Sequence, residues 1–197
     1  MSVSQRLIES TVVVRGAGDL GSGVLLRLWR FGFQPIALER SEPITVRRQV
    51  AFASAVYDDE ITIEGICARL GETPDTEADI PVIVDEKGKK LKSINPRILV
   101  DATMVRNPEK IKTHIEQAPL TIGLGPGFEA GTHVNYVVET NRGHQLGRVV
   151  DEGRAQESTG EPGEILGYTH ERVLRAPDSG IFQSELSIGA QVKPNEL

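Results

Sequence analysis

Cysteine is almost missing from this sequence: Cys67 stands alone among 197 residues. One thiol excludes an intramolecular disulfide framework, a zinc ribbon and a C-x-x-C redox pair. Long apolar runs are missing as well, and none approaches the roughly 20 residues of a membrane span. Positive charge is in deficit, with 22 Lys and Arg against 28 Asp and Glu and a net charge of −6. That balance argues against a nucleic-acid partner and against a polybasic membrane anchor. The opening residues, MSVSQRLIES, lack a basic segment followed by an apolar one, so no export signal is expected. The 4 histidines (His114, His133, His144, His170) show no ligand spacing, so no metal site is expected. A folded, soluble protein of the cytoplasm is the expectation, consistent with 39% hydrophobic and 25% charged residues.

Glycine is plentiful where it can carry chemistry. Thr11 to Arg15, TVVVR, is a β-branched run that suits a strand buried on both faces. Gly16-x-Gly18-x-x-Gly21 follows it directly and opens a helix whose apolar face is expected at Leu20, Val24, Leu28 and Phe31. Gly32 stops that helix, and PIALE, Pro35 to Glu39, reads as a second strand parallel to the first. In such a unit Gly16 permits the turn, Gly18 lets a pyrophosphate approach the backbone, and Gly21 lets helix and strand pack closely. The helix N-terminus offers N–H groups and a positive dipole end to phosphates. Glu39, at the end of the second strand, is placed to accept from ribose hydroxyls. Asp19 adds a negative charge to the loop and is expected to cap the helix. Arg40, Arg47 and Arg48 either bind a phosphate or flank a solvated helix, which leaves NAD and NADP both open.

A second helix is expected from Ser41-Glu42-Pro43, with Val46, Val50 and Ala53 buried. Strands are expected at 60–64, 81–84, 98–101 and 120–124, a solvated acidic loop at 71–79, and a charged turn at 86–90. Cys67 reads as a small apolar residue in a helix-like segment. A second glycine loop, Gly123 to Phe128 with Gly125 and Gly127, follows a strand expected to be parallel to the first. It would share one sheet edge with the first loop, with Asp101 between them. After Gly131 the sequence turns β-rich. THVNYVVETN and LGRVVDEG read as antiparallel neighbours around Arg142-Gly143-His144-Gln145, a polar group that also includes Glu139. Short strands are expected between Arg172 and Leu186. The fold class is thus α/β: a Rossmann-like parallel sheet over residues 1–131 and a β-rich C-terminal extension over 132–197.

Several ordered motifs then resemble one family. RGAGDLGSGV, ERSEPITVRRQVAFASAVYDDEITIEGI, IPVIVDE, ILVDAT, IGLGPGFEAG, VVETNRGHQLGRVV and RVLRAPDSGIF are similar to the YqeB-type accessory proteins of selenium-dependent molybdenum hydroxylases. The resemblance implies a Rossmann-like domain that handles molybdenum cofactor (molybdopterin) before its insertion, with a hydroxylase subunit as partner. It carries over Gly16, Gly18, Asp19, Gly21, Gly23, Glu39, Pro43, Arg47, Arg48 and Asp101. It also carries over Gly125, Gly127, Gly131, Glu139, Arg142, Gly143, His144 and Gly147. Where the family often has a lysine-containing stretch, this chain has Met104-Val105-Arg106-Asn107, with Arg106 as the available cation. RAPDSGIFQSELSIGAQVKP resembles the first half of a barrel-sandwich module, without a carrier-type lysine, and related chains continue beyond it. Its apolar residues Ile181, Phe182, Leu186, Ile188 and Val192 are expected to be covered by a second copy of the chain or to be weakly ordered. The expected function is maturation of a molybdenum hydroxylase by binding a nucleotide or molybdenum cofactor. An NAD(P)-dependent oxidoreductase and a non-catalytic docking module for a hydroxylase are the alternatives. No catalytic residue is named by the sequence.

Overall fold

The computed structural model describes residues 10–74, 77–180, 182–184 and 186–193. The first nine residues and Ile181, both considered above, lie outside these, as do positions 75 and 76 of the acidic loop. The strands are β1 (Val12–Arg15), β2 (Pro35–Glu39), β3 (Glu60–Ile63), β4 (Ile66–Gly71), β5 (Ile80–Val84) and β6 (Ile98–Asp101). They continue as β7 (Leu120–Leu124), β8 (Glu129–Ala130), β9 (Tyr136–Val138), β10 (Val149–Val150) and β11 (Gly153–Arg154). Among the described residues, nine of these form one sheet in the order β10-β9-β7-β6-β1-β2-β5-β4-β3, and β8 and β11 pair separately. Every neighbouring pair from β9 to β4 is parallel, and the edge strands β10 and β3 are antiparallel to their neighbours. The protein is therefore α/β with a large, mostly parallel sheet.

β1 lies at the centre because its side chains are apolar on both faces. Val14 joins a cluster with Leu25, Ala37, Val82 and Val100, while Val13 joins another with Ile36, Leu38, Ile83 and Leu99. The first cluster is covered by α1 (Asp19–Arg30) and by the 3-10 turn at Phe52–Ser54. Among the described residues α1 is the one helix longer than a single turn; α2 (Ala55–Asp58) and α3 (Leu91–Ile94) are four residues each. Leu91 and Ala118 cover the second cluster. No described helix is long and apolar enough to cross a membrane.

Several expectations are corrected. The buried face of α1 is Gly21, Ser22, Leu25 and Leu26, whereas Leu20 and Phe31 are 47% and 73% exposed. The helix starts at Asp19 and docks through its glycine-serine stripe, which lets it sit close to β1. The helix expected from Ser41-Glu42-Pro43 is replaced by loop and 3-10 turns, with Val46 and Val50 exposed and Ala53 buried. Cys67 lies on a strand, half-buried, with its N–H donating to Asp79 (2.9 Å). Gly65 at φ +82° turns β3 into β4, a hairpin hidden in what looked helical.

Residues up to Ser158 form one compact unit and Thr159–Leu197 a second. A division at residue 131 would cut the first unit, because β9 pairs with β7 in parallel register and β10 with β9. The β-rich character after Gly131 thus completes the main sheet. In the second unit the described residues hold a lone bridge between Ile165 and Tyr168 and a 3-10 turn at His170–Arg172. No strand forms among the described residues of 172–186, and Leu174 and Phe182 are almost fully exposed. Among the described residues, then, the half-sandwich expected there is not formed.

Candidate functional site

Parallel strands bring their carboxyl ends to one edge. Leaving β1 the chain turns toward α1, and leaving β6 it turns the other way across the sheet, so the connections diverge between these two adjacent strands. Beyond this edge lies an open cleft of about 640 Å³, lined among others by Gly16, Gly18, Glu39, Asp85, Asp101 and Lys112.

The glycine loop is fixed from three sides. Gly16 holds φ +86° and donates to the Leu38 carbonyl (2.8 Å), and a Cβ there would press on Ala102 and Thr103. Ser22 Oγ donates to the Ala17 carbonyl (2.9 Å), which also accepts from the Ala53 N–H (2.8 Å). A Cβ at Gly21 would stand 1.9 Å from the Gly16 carbonyl oxygen, so only glycine lets helix and loop meet. Gly18 differs: a Cβ there meets nothing within 4 Å, on the wall of the cleft. Gly18 is the N-cap of α1 and no side chain caps the helix. The first-turn N–H groups of α1 therefore have no side-chain acceptor, a disposition suited to an anion.

Glu39 lines the cleft, and its carboxylate accepts from the Ala17 N–H (2.7 Å) and the Arg40 N–H (2.8 Å). An ionised carboxylate offers about four acceptor positions, so two remain for a ligand hydroxyl. Asp19 does not cap the helix. It is the first residue of α1 and pairs with Arg47 (3.0 Å), which neutralises its charge beside the loop. Arg47 and Arg48 are exposed and do not line the cleft; the Arg48 carbonyl accepts from Ser54 Oγ (2.7 Å). The 43–45 segment forms one wall and is tied down by Tyr57, whose hydroxyl donates to the Pro43 carbonyl (3.1 Å).

The opposite face of the edge holds a buried polar network. Asp101, 1% exposed, accepts from the Thr103 N–H (3.0 Å), Thr103 Oγ1 (2.5 Å) and Thr113 Oγ1 (2.5 Å). Arg15 Nη1 donates to Thr113 Oγ1 (2.9 Å). Asp85 accepts from the N–H groups of Lys89 (3.0 Å) and Lys90 (2.7 Å), closing the 85–90 turn. At the margin Lys112 and Glu86 form an ion pair (2.7 Å). Burial pulls the Arg15 guanidinium below its ordinary pKa range, and the charges of Asp101 and Asp85 oppose that shift.

The second glycine loop is built for packing. A Cβ at Gly127 would stand 2.0 Å from the Val105 carbonyl oxygen, and one at Gly125 would press on Met104 and Thr140. Neither residue lines the cleft; both support the 104–106 segment, of which Val105 does. Glu139, 3% exposed, accepts from the N–H groups of Asn141 and Gln156 (2.7 Å each) and ties the end of β9 to the segment after β11. Of the residues singled out by sequence, Gly16, Gly18, Glu39, Arg40, Pro43 and Asp101 come together at the cleft. Arg15, Asp85 and Thr113 were missed. Their one local signal is a cation closing a strand expected to be buried on both faces. Among the described residues, no group of three or more His, Cys, Asp and Glu side chains could hold a metal ion.

No family model matches this sequence, and no solved structure matches it. The chain is 47% identical over 193 residues to a protein of Escherichia coli (strain K12) described as "Uncharacterized protein YqeB". The match takes in 94% of this chain and 35% of that protein. Over nearly its whole length, then, this chain is similar to a YqeB protein, about a third of whose length it spans.

Proposed function

We propose that this chain is a YqeB-type protein with a Rossmann-like site that binds a nucleotide or a nucleotide-bearing molybdenum cofactor. Its role in this reading is accessory: maturation of a selenium-dependent molybdenum hydroxylase in the cytoplasm. The observation that carries the reading is the cleft beside β1 and β6, with Gly18 and the uncapped end of α1 on its wall. Six strands support it, because β5-β2-β1-β6-β7-β9 reproduce the 3-2-1-4-5-6 order of dinucleotide-binding sheets. The donor set fits the phosphate and ribose parts of such a ligand: N–H groups of α1 for phosphate and Glu39 for ribose hydroxyls. A molybdenum centre would be carried by its own pterin, since no described cluster of protein side chains is placed to ligate it. The similarity to YqeB supports the family part of the reading. A second copy of the chain is read as the cover for the exposed apolar side chains after residue 159.

The deciding experiment is mass spectrometry of small molecules released from the purified protein, followed by calorimetry with what is found. A pterin or ribonucleotide whose binding is lost in Gly18→Val, in a folded variant, is the expected result. A released nicotinamide dinucleotide with turnover would replace it by the oxidoreductase reading. No ligand, but a stable complex with a hydroxylase subunit, would replace it by the docking module.

A further inference from the structure

Arg15 is 4% exposed, yet its buried Nε and Nη2 have no hydrogen-bond partner. Nη1 alone is satisfied, by Thr113. Buried side-chain polar groups are nearly always paired, and a buried charge with free donors calls for an acceptor. The free atoms are adjacent, and the Nε–Nη2 edge is the side of the fork that takes two oxygens of one carboxylate or phosphate. The nearby carboxylates do not fill that place. Asp101 is held by Thr103 and Thr113, Asp85 by the Lys89 and Lys90 amides, and no described ion pair reaches Arg15. Burial outweighs those two charges in shifting Arg15, so its own charge is under-compensated.

We propose that Arg15 is an oxyanion-binding residue of the cleft, taking a carboxylate or phosphate group on its Nε–Nη2 edge. The subsite lies on the sheet face opposite the α1 N-terminus. The ligand therefore carries two separated polar ends, one on the glycine loop and one on Arg15; this part rests on the nucleotide reading, whereas the subsite itself does not. The edge is now covered by the 85–90 turn, where a Cβ at Gly88 would stand 2.1 Å from Nη2. Occupation shifts that turn, whose cleft margin is held by the exposed Glu86–Lys112 pair.

The test is ¹⁵N–¹H NMR of arginine Nε–H groups in the full chain, titrated separately with inorganic phosphate and acetate. Arg15 is assigned through bonds from its own backbone, so no variant is needed to observe it. A saturable shift of the Arg15 Nε–H with either probe is expected, and the stronger probe identifies the oxyanion. Arg15→Lys, which keeps the charge and loses the fork, should weaken binding about tenfold, read at the backbone amide of Gly88, the residue that lies against that edge. The response should persist in Gly18→Val. An Arg15 Nε–H unmoved by both probes overturns the proposal. A response that vanishes in Gly18→Val also overturns it, because the anion would then sit on the glycine loop. Failure of the nucleotide reading alone would leave the Arg15 response intact.

Discussion

Gly21 and Gly18 lie one helical turn apart, and an added methyl separates their roles. At Gly21 it would strike the Gly16 carbonyl, a backbone atom that cannot step aside, so Gly21→Ala should destabilise the protein by roughly 1–3 kcal/mol. At Gly18 it enters open space with φ at −67°, so Gly18→Ala should change stability by less than about 1 kcal/mol while weakening ligand binding. Thermal melts read the first effect and calorimetry with a ribonucleotide the second. A stable Gly21→Ala beside an unstable Gly18→Ala would invert both assignments. Spacing made this pair legible, because glycines at fixed offsets after a β-branched run leave few alternatives. Arg15 was hidden for the opposite reason: its neighbours Thr113, Asp101 and Asp85 come from a loop, the end of β6 and the turn after β5, and no local pattern announces that.

Elements were legible where their signal is local and opaque where their neighbours decide. β1, β2, β6 and β7 stand where apolar β-branched runs indicate. The segment after Arg172 carries similar residues, but its described residues form no strand. Glu139 read as part of a polar turn, whereas it ties the end of β9 to the segment after β11. Glu139→Ala removes the acceptor of two N–H groups and should cost roughly 2–4 kcal/mol, visible as faster hydrogen exchange at Asn141 and Gln156. Nucleotide affinity should be unchanged, and a matching loss of affinity would move Glu139 into the site. The Glu86–Lys112 bridge makes a pH prediction. The hydrogen bond from Lys112, and then its charge, hold the Glu86 carboxyl below its usual range. Its pairing is therefore complete above the ordinary carboxylate range and is lost as pH falls through the lowered value. Carboxyl-carbon NMR should show Glu86 titrating low, and Lys112→Met should return it to the ordinary range. An unchanged titration in that variant removes the bridge from the account.

On the scale of the whole chain, the sheet unit ends at Ser158, and the remainder up to Leu197 forms its own small unit. A chain stopped at Ser158 should keep the cooperative melt of the full protein. If a second copy covers the apolar residues after 159, light scattering should find the full chain dimeric and the shortened one monomeric. Equal association states in both would remove that surface as the cause. The central position of β1 also has a consequence in time. Val12 pairs with Pro35 on one side, but its other partner, Ile98, is made much later. At about 5–20 residues per second of synthesis, that interval is on the order of ten seconds. Throughout it, a strand buried along its whole length in the finished sheet shows the ribosome's surroundings an open row of N–H and C=O groups. The pace of translation, rather than the final stability of the sheet, then governs how much of this chain escapes pairing with the wrong neighbour.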